Sequence, residues 1–179
     1  MNVKEFISKI RAGNKYQYVY HFTDKSNISS MKFFGSVLSK EQQIKKRVCA
    51  NKPGGDSNSQ LSDKLCGISD YVSLCLTSNH PMAYRCRKDG RHPDQVYICF
   101  DPDILLTQGT MACLGLANTN GANIMPLERA IPFMDLEALS GNMQWSVETQ
   151  TRVAAVEKYE ILVPTAVSLK FAKKLIVPR

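Results

Sequence analysis

Residues 16–38 read YQYVYHFTDKSNISSMKFFGSVL, and this stretch decides the fold. Tyr16–Thr23 is aromatic and β-branched, the composition of a strand flanked by others. Asp24 or Ser26 then caps a short helix through Ser29, Met31, Phe33 and Phe34. Gly35 suits the left-handed residue past a helix end, and Ser36–Leu38 is a brief extended piece. Upstream, MNVKEFISKIRAG has the spacing of an amphipathic helix (Val3, Phe6, Ile7, Ile10), without the apolar run and cleavage site of a signal peptide.

Downstream, residues 40–48 read as a basic helix. Residues 50–67, ANKPGGDSNSQLSDKLCG, are low in apolar side chains and rich in Gly, Pro and Ser, which predicts a mobile loop. Tyr71–Thr77, Gln95–Phe100 and Met111–Leu116 read as strands. Short helical pieces are expected at Pro81–Cys86 and Asp103–Thr107, a turn at Asn118–Gly121, and a moderately helical segment over 126–140. The pattern predicts extended chain from Arg152 to Val163, a helix from Pro164 to about Lys173, and a last short strand. Strands interrupted by short helices, without βαβ repetition, predict an α+β single domain over 1–179 with a mostly antiparallel or mixed sheet.

The chain has 179 residues, 44% apolar and 22% charged, ordinary values for one soluble domain. No run approaches the roughly 20 apolar residues of a membrane span. The six cysteines are scattered without a C-x-x-C pair and stand apart from His21, His80 and His92, so reduced thiols and no metal are expected. The formal net charge is +7. Positive charge gathers at Lys40, Lys45, Lys46, Arg47 and Lys52, at Arg85, Arg87, Lys88 and Arg91, and at Lys170, Lys173, Lys174 and Arg179. Three basic clusters in one small domain favour a polyanionic partner over a merely solvated surface.

The sequence lacks a P-loop, G-x-G-x-x-G, G-x-S-x-G, H-E-x-x-H and an EF-hand loop, which argues against kinases, Rossmann dehydrogenases, α/β-hydrolases and zincins. Glu160 lies inside the apolar run YEILVP. A carboxylate there either faces water from an edge strand or is buried and used. His21 and Thr23 share one side of the first strand. They suit a ribose hydroxyl and a phosphate, or equally a core histidine and a helix cap.

Five blocks in order, YHFTDKSNISSMKFFGSVLS, IKKRV, DYVSLCLTSNHPMAY, VYICFD and YEILVP, give a resemblance to the DarT-like single-stranded-DNA ADP-ribosyltransferases, the toxins of DarTG toxin–antitoxin systems. The resemblance implies an ADP-ribosyltransferase-like split, twisted mixed β-sheet with short flanking helices, opening on a cleft for NAD⁺ as substrate and needing no metal. It implies that His21, Phe22 and Thr23 contact NAD⁺, that Ser30 and Leu38 line the same pocket, and that Tyr71 and Met82 close its nicotinamide side. It makes Glu160 the essential carboxylate and Arg47 both catalytic and NAD⁺-binding. Arginine is a poor base, so Arg47 suits a phosphate and transition-state clamp. Trp145, Tyr84 and Tyr97 are candidate platforms for stacked bases.

The implied activity is mono-ADP-ribosylation of thymine, with guanine second, in single-stranded DNA. The implied setting is a cytoplasmic monomer, away from membranes, acting as a toxin or phage-defence effector beside a DarG-like macrodomain antitoxin. The competing readings are transfer to RNA or protein, or a non-catalytic nucleic-acid-binding module. The turn at 118–123 is Asn-rich where relatives are expected to carry an acidic or histidine-bearing turn.

Overall fold

The computed structural model describes residues 1–144 and 146–178. The chain opens with helix α1 (Val3–Arg11), closed at its start by a capping box in which Asn2 and Glu5 each accept the other's backbone N–H. Its apolar face, Phe6, Ile7 and Ile10, is buried. Strand β1 (Val19–Asp24) follows, then α2 (Ile28–Phe34), stopped by Gly35 at φ 63°. After it come β2 (Ser36–Leu38), α3 (Lys40–Lys45), α4 (Ser57–Leu65) and β3 (Tyr71–Cys75). Next are α5 (Pro81–Lys88), β4 (Gln95–Phe100), β5 (Met111–Cys113) and β6 (Ile124–Pro126). The last part holds α6 (Leu127–Ala130), α7 (Leu136–Ser140), α8 (Val147–Val156), β7 (Glu160–Pro164), β8 (Ala166–Ser168) and β9 (Ala172–Ile176).

Among the described residues the strands form a seven-stranded sheet, ordered β6-β5-β7-β3-β1-β4-β9, and a two-stranded ribbon of β2 and β8. Every pairing is antiparallel. One sheet face carries the main core, with Leu74, Ile98, Phe100, Ile161 and Val163 packed on Phe6, Ile104 and Ile131. The opposite face is lined by Tyr20, Cys75, Tyr97 and Cys99 and, farther along, by Cys113 and Leu162.

Two features open the sheet. Strands β1 and β3 are joined at the single register pair Tyr20↔Cys75, whereas β1 and β4 pair along their whole length. Beyond that pair β1 and β3 part. At the end of β7, Thr165 takes the left-handed conformation at φ 60°, and the chain leaves the large sheet for the ribbon. Its N–H donates to Asp70 O at 2.7 Å and its carbonyl accepts from Ser39 N at 2.8 Å.

Several local expectations are corrected. The segment 50–67 is not one mobile loop: Asp56 accepts from Ser59 N at 2.8 Å and starts α4. Its apolar residues Leu61 and Leu65 are exposed, so no periodicity announced it. The extended run expected from Arg152 begins only at Glu160: residues 147–156 are helical, because Ser146 and Thr149 form a capping box ahead of a run whose β-branched residues mimic a strand. Pro164 ends a strand instead of starting a helix, and the next residues form β8, a 3₁₀ turn and β9.

The fold rests on the wedge that α1 drives under the sheet. Phe6 is fully buried. Phe6→Ala is expected to cost about 3–5 kcal/mol in urea unfolding; a loss below about 1 kcal/mol would contradict that packing.

Candidate active site

A cleft of ≈ 420 Å³ opens where β1 and β3 separate. It is lined by His21, Phe22 and Thr23 from β1, Tyr71 and Ser73 from β3, Met82 from α5 and Glu160 from β7. Leu38, Ile44 and Val48 supply one wall, and Pro53, Gly54 and Gly55 another.

Glu160 lies on a strand with partners on both sides, and it is 9% exposed. The edge-strand reading is therefore excluded. Register sets its direction. Cys75, Glu160 and Cys113 stand opposite one another across β3, β7 and β5, so they share the sheet face that carries the cleft. Ile161 and Val163 point the other way into the core. Oε2 of Glu160 accepts from Ala117 N at 3.2 Å, and Oε1 lies 3.4 Å from Nε2 of His80. Burial, followed by the charge of Glu160, pushes both the Cys75 and Cys113 thiols up. Both flanking side chains stay neutral beside the carboxylate.

The first strand brings a ladder of rings. His21 and Phe22 stack at 6.4 Å, Phe22 stacks on His80 at 5.8 Å, and His92 approaches Phe22 at 6.1 Å. Where β1 leaves β3, the His21 ring takes up the Ser73 carbonyl at 3.1 Å. A carbonyl only accepts, so Nδ1 carries the proton and Nε2 is left as an acceptor. Burial lowers the His21 pKa to about 4, outweighing the Ser73 hydrogen bond that raises it. The ring is neutral at neutral pH. Thr23 is buried and accepts from Asn27 Nδ2 at 3.1 Å.

A strap, residues 50–56, crosses the cleft and is pinned at several points. Lys52 exchanges hydrogen bonds with the buried Asn27, donating at 3.1 Å and accepting at 2.8 Å. Lys52 O also accepts from His92 Nε2 at 3.2 Å. Gly54 O accepts from Cys86 Sγ at 3.1 Å and from Arg91, whose fork is held by Asp89. Glycine fits where the strap is tight: a Cβ on Gly54 would lie 3.3 Å from His92 Cε1, and one on Gly55 3.1 Å from Lys40 Nζ, so a side chain would make its neighbours give way. Lys40 in turn pairs with Asp63 of α4, so two cleft-lining residues tie α3 to α4.

The expected site residues divide. His21, Phe22, Thr23, Leu38, Tyr71, Met82 and Glu160 line one cavity. Ser30 and Arg47 stand outside the lining, although their neighbours Met31, Ile44 and Val48 belong to it. Arg47 is exposed just past α3 and holds φ 54°. Left-handed backbone costs a non-glycine residue about 1–2 kcal/mol. Among the stacking candidates, Tyr84 is exposed, Tyr97 is buried in the sheet and cannot receive a base, and Trp145 lies outside the described residues. Sequence reasoning missed His80, Asn27 and His92. The N-x-x-x-M and N-H-P spacings offer no chemical signal; these residues matter through partners far away in the chain, Lys52 for Asn27 and His92, and Glu160 for His80. No cluster of three or more metal-binding side chains occurs among the described residues, and no helix there is long and apolar enough to cross a membrane.

The split sheet thus brings a buried carboxylate and a neutral imidazole to one cleft, an arrangement able to stabilise a developing positive charge. The family model described as "ssDNA thymidine ADP-ribosyltransferase, DarT" matches residues 20–179, and the chain belongs to that family. Among solved structures it is similar to Thermus sp. 2.9 DarT in complex with ADP-ribosylated ssDNA, at 14% identity and TM-score 0.70, covering 93% of this chain and 85% of that one. The same Thermus protein in complex with NAD⁺ gives 15% identity and TM-score 0.60, over 89% and 80% of the two chains. Thermosipho africanus DarTG in complex with ADP-ribose gives 18% identity and TM-score 0.67, over 90% of this chain and 44% of that one. At these identities the likeness is one of fold. No curated protein matches the chain.

The neutral His21 has a measurable consequence. Its folded pKa is depressed below that of the unfolded chain, so the unfolded state binds the proton first. Its contribution is full above about pH 6.5 and is lost as pH falls toward 4. With the cleft-facing edge of the ring open to water, this amounts to roughly 2 kcal/mol. His21→Gln is expected to flatten that part of the stability–pH curve; parallel curves for the two proteins would refute it.

Proposed function

We propose that the protein takes NAD⁺ as substrate and transfers its ADP-ribose unit to a nucleobase of single-stranded DNA, thymine before guanine. The observation that carries this reading is Glu160: a buried carboxylate, backed by a backbone N–H, on the floor of the cleft that also presents the free acceptor face of His21. As the nicotinamide–ribose bond lengthens, positive charge develops on the ribose. A carboxylate fixed beside it in a site that excludes water stabilises that charge strongly. His21 Nε2 accepts from a ribose hydroxyl. Phe22, Tyr71 and Met82 give apolar walls for the nicotinamide end, with Thr23 and Leu38 beside them.

Arg47 and Ser30 are assigned to the mouth of the cleft. Arg47 clamps pyrophosphate or the incoming strand with its guanidinium fork, reaching in when substrate is present. Its left-handed backbone fits that role, since strain of this kind gathers at functional positions. The acceptor base enters unpaired, because drawing it from a duplex would cost a few kcal/mol. The basic side chains of α3, the strap and α5 serve the phosphates of the strand. The protein is read as one catalytic domain, a cytoplasmic monomer acting as a toxin or phage-defence effector. Its partner is a DarG-like macrodomain antitoxin. Transfer to RNA or protein is the second reading; the Asn-rich turn, whose Asn118 lines the cleft with Glu160, bears on the choice between thymine and guanine.

Incubation with NAD⁺ and each of four homopolymeric DNA oligonucleotides, with mass readout, tests the reading. One ADP-ribose adduct on the thymine polymer and released nicotinamide are expected. Glu160→Gln should lower transfer by at least about 100-fold while keeping NAD⁺ binding. No adduct on any DNA, or an active Glu160→Gln protein, refutes the proposal. Arg47→Gly separates function from folding: thermal stability should hold or rise, by up to about 1 kcal/mol, as the strain is relieved, while transfer falls. Unchanged transfer would remove Arg47 from the mechanism.

A further inference from the structure

His80 is 1% exposed and occupies the N-cap of α5. The backbone N–H of Met82 donates to its Nδ1 at 3.3 Å. An imidazole nitrogen that accepts cannot carry a proton, so the proton of the neutral ring is on Nε2. That Nε2 has no hydrogen-bond partner and is buried. It stands 3.4 Å from Oε1 of Glu160, within reach of the carboxylate but short of a formed hydrogen bond. The ring plane is set from the side by Phe22, stacked at 5.8 Å with its plane 19° away. A cap bond therefore selects the tautomer, and a stacked ring fixes the plane, of a donor within reach of the carboxylate that the proposed chemistry uses.

We propose that His80 is the positioning residue of Glu160: its Nε2–H holds Oε1 while the N–H of Ala117 holds Oε2. The carboxylate is thereby gripped by two donors from behind, and its charge faces the cleft. Contacts of this kind are often long without substrate and close when the site fills. The carboxylate cannot swing toward the thiols of Cys75 and Cys113, which flank it in register. This inference rests on the proposed role of Glu160 and adds the residue that orients it.

Two variants separate orientation from capping. His80→Asn keeps an oxygen for the Met82 N–H but falls short of Glu160. His80→Gln extends an amide N–H toward the carboxylate and weakens the cap. With NAD⁺ and a thymine oligonucleotide, His80→Asn is expected to lower kcat roughly 10- to 100-fold with KM for NAD⁺ within about 2-fold. His80→Gln is expected to regain most of kcat despite a lower melting temperature. Full kcat in His80→Asn, equal losses in both variants, or a loss carried by KM overturns the proposal.

A second readout needs no turnover. Nitrogen-15 spectra of the imidazoles should show His80 as the Nε2–H tautomer, and Glu160→Gln should move its Nε2 signal. If the wild type consumes no NAD⁺, the proposed function fails and the spectra alone decide the contact. An Nδ1–H tautomer, or a signal indifferent to Glu160→Gln, would overturn it.

Discussion

A carboxylate buried in the middle of a sheet is the constraint on which the rest of the site depends. Left without partners, such a group costs several kcal/mol and would sooner be replaced or neutralised. Here the flanking strands place only small thiols beside Glu160, each kept neutral by burial and by the carboxylate itself. One backbone N–H, from the chain leading out of β5, satisfies Oε2. What remains is negative charge with one open direction, into the cleft. A ligand that develops positive charge there meets a prepared environment, because the donors and strands are already fixed by folding.

The cleft exists because the sheet is incomplete. β1 stays in full register with β4 but touches β3 at one pair, so a gap opens between two strands whose other edges are fully paired. The ring of His21 caps a carbonyl in that gap, and Phe22 stacks between His21 and His80. The strap over the opening lacks regular structure and is held by Asn27, His92, Cys86 and Arg91. A segment held by side chains rather than by a ladder can release locally without disturbing the sheet, which suits a wall that substrate must pass.

The strands around this gap were legible in the sequence. Tyr16–Thr23, Tyr71–Thr77 and Gln95–Phe100 carry β-branched and aromatic residues because both of their faces are covered, and β1, β3 and β4 fall within or close to those limits. The helices α4 and α8 were not legible. α4 exposes its leucines, and α8 is rich in β-branched residues, so both depend on caps, Asp56 and Ser146, rather than on an apolar stripe. The resemblance to a family singled out Glu160, His21 and residues beside them, and the fold gathers these at one cleft. Nothing in the sequence pointed to His80 or Asn27, whose neighbours in the chain are ordinary.

Alone, the sequence determined what depends on near neighbours: where strands and caps can form, a positive net charge, the absence of common nucleotide and metal motifs, and a set of blocks in family order. Only the tertiary structure decided which face of β7 Glu160 occupies, since antiparallel register is set by distant strands and a shift of one residue would turn the carboxylate into the core. It also decided that a helix-capping histidine lies 3.4 Å from that carboxylate, and that a glycine-rich segment is strapped across the cleft. These are contacts between parts far apart in the chain, and no local propensity encodes them.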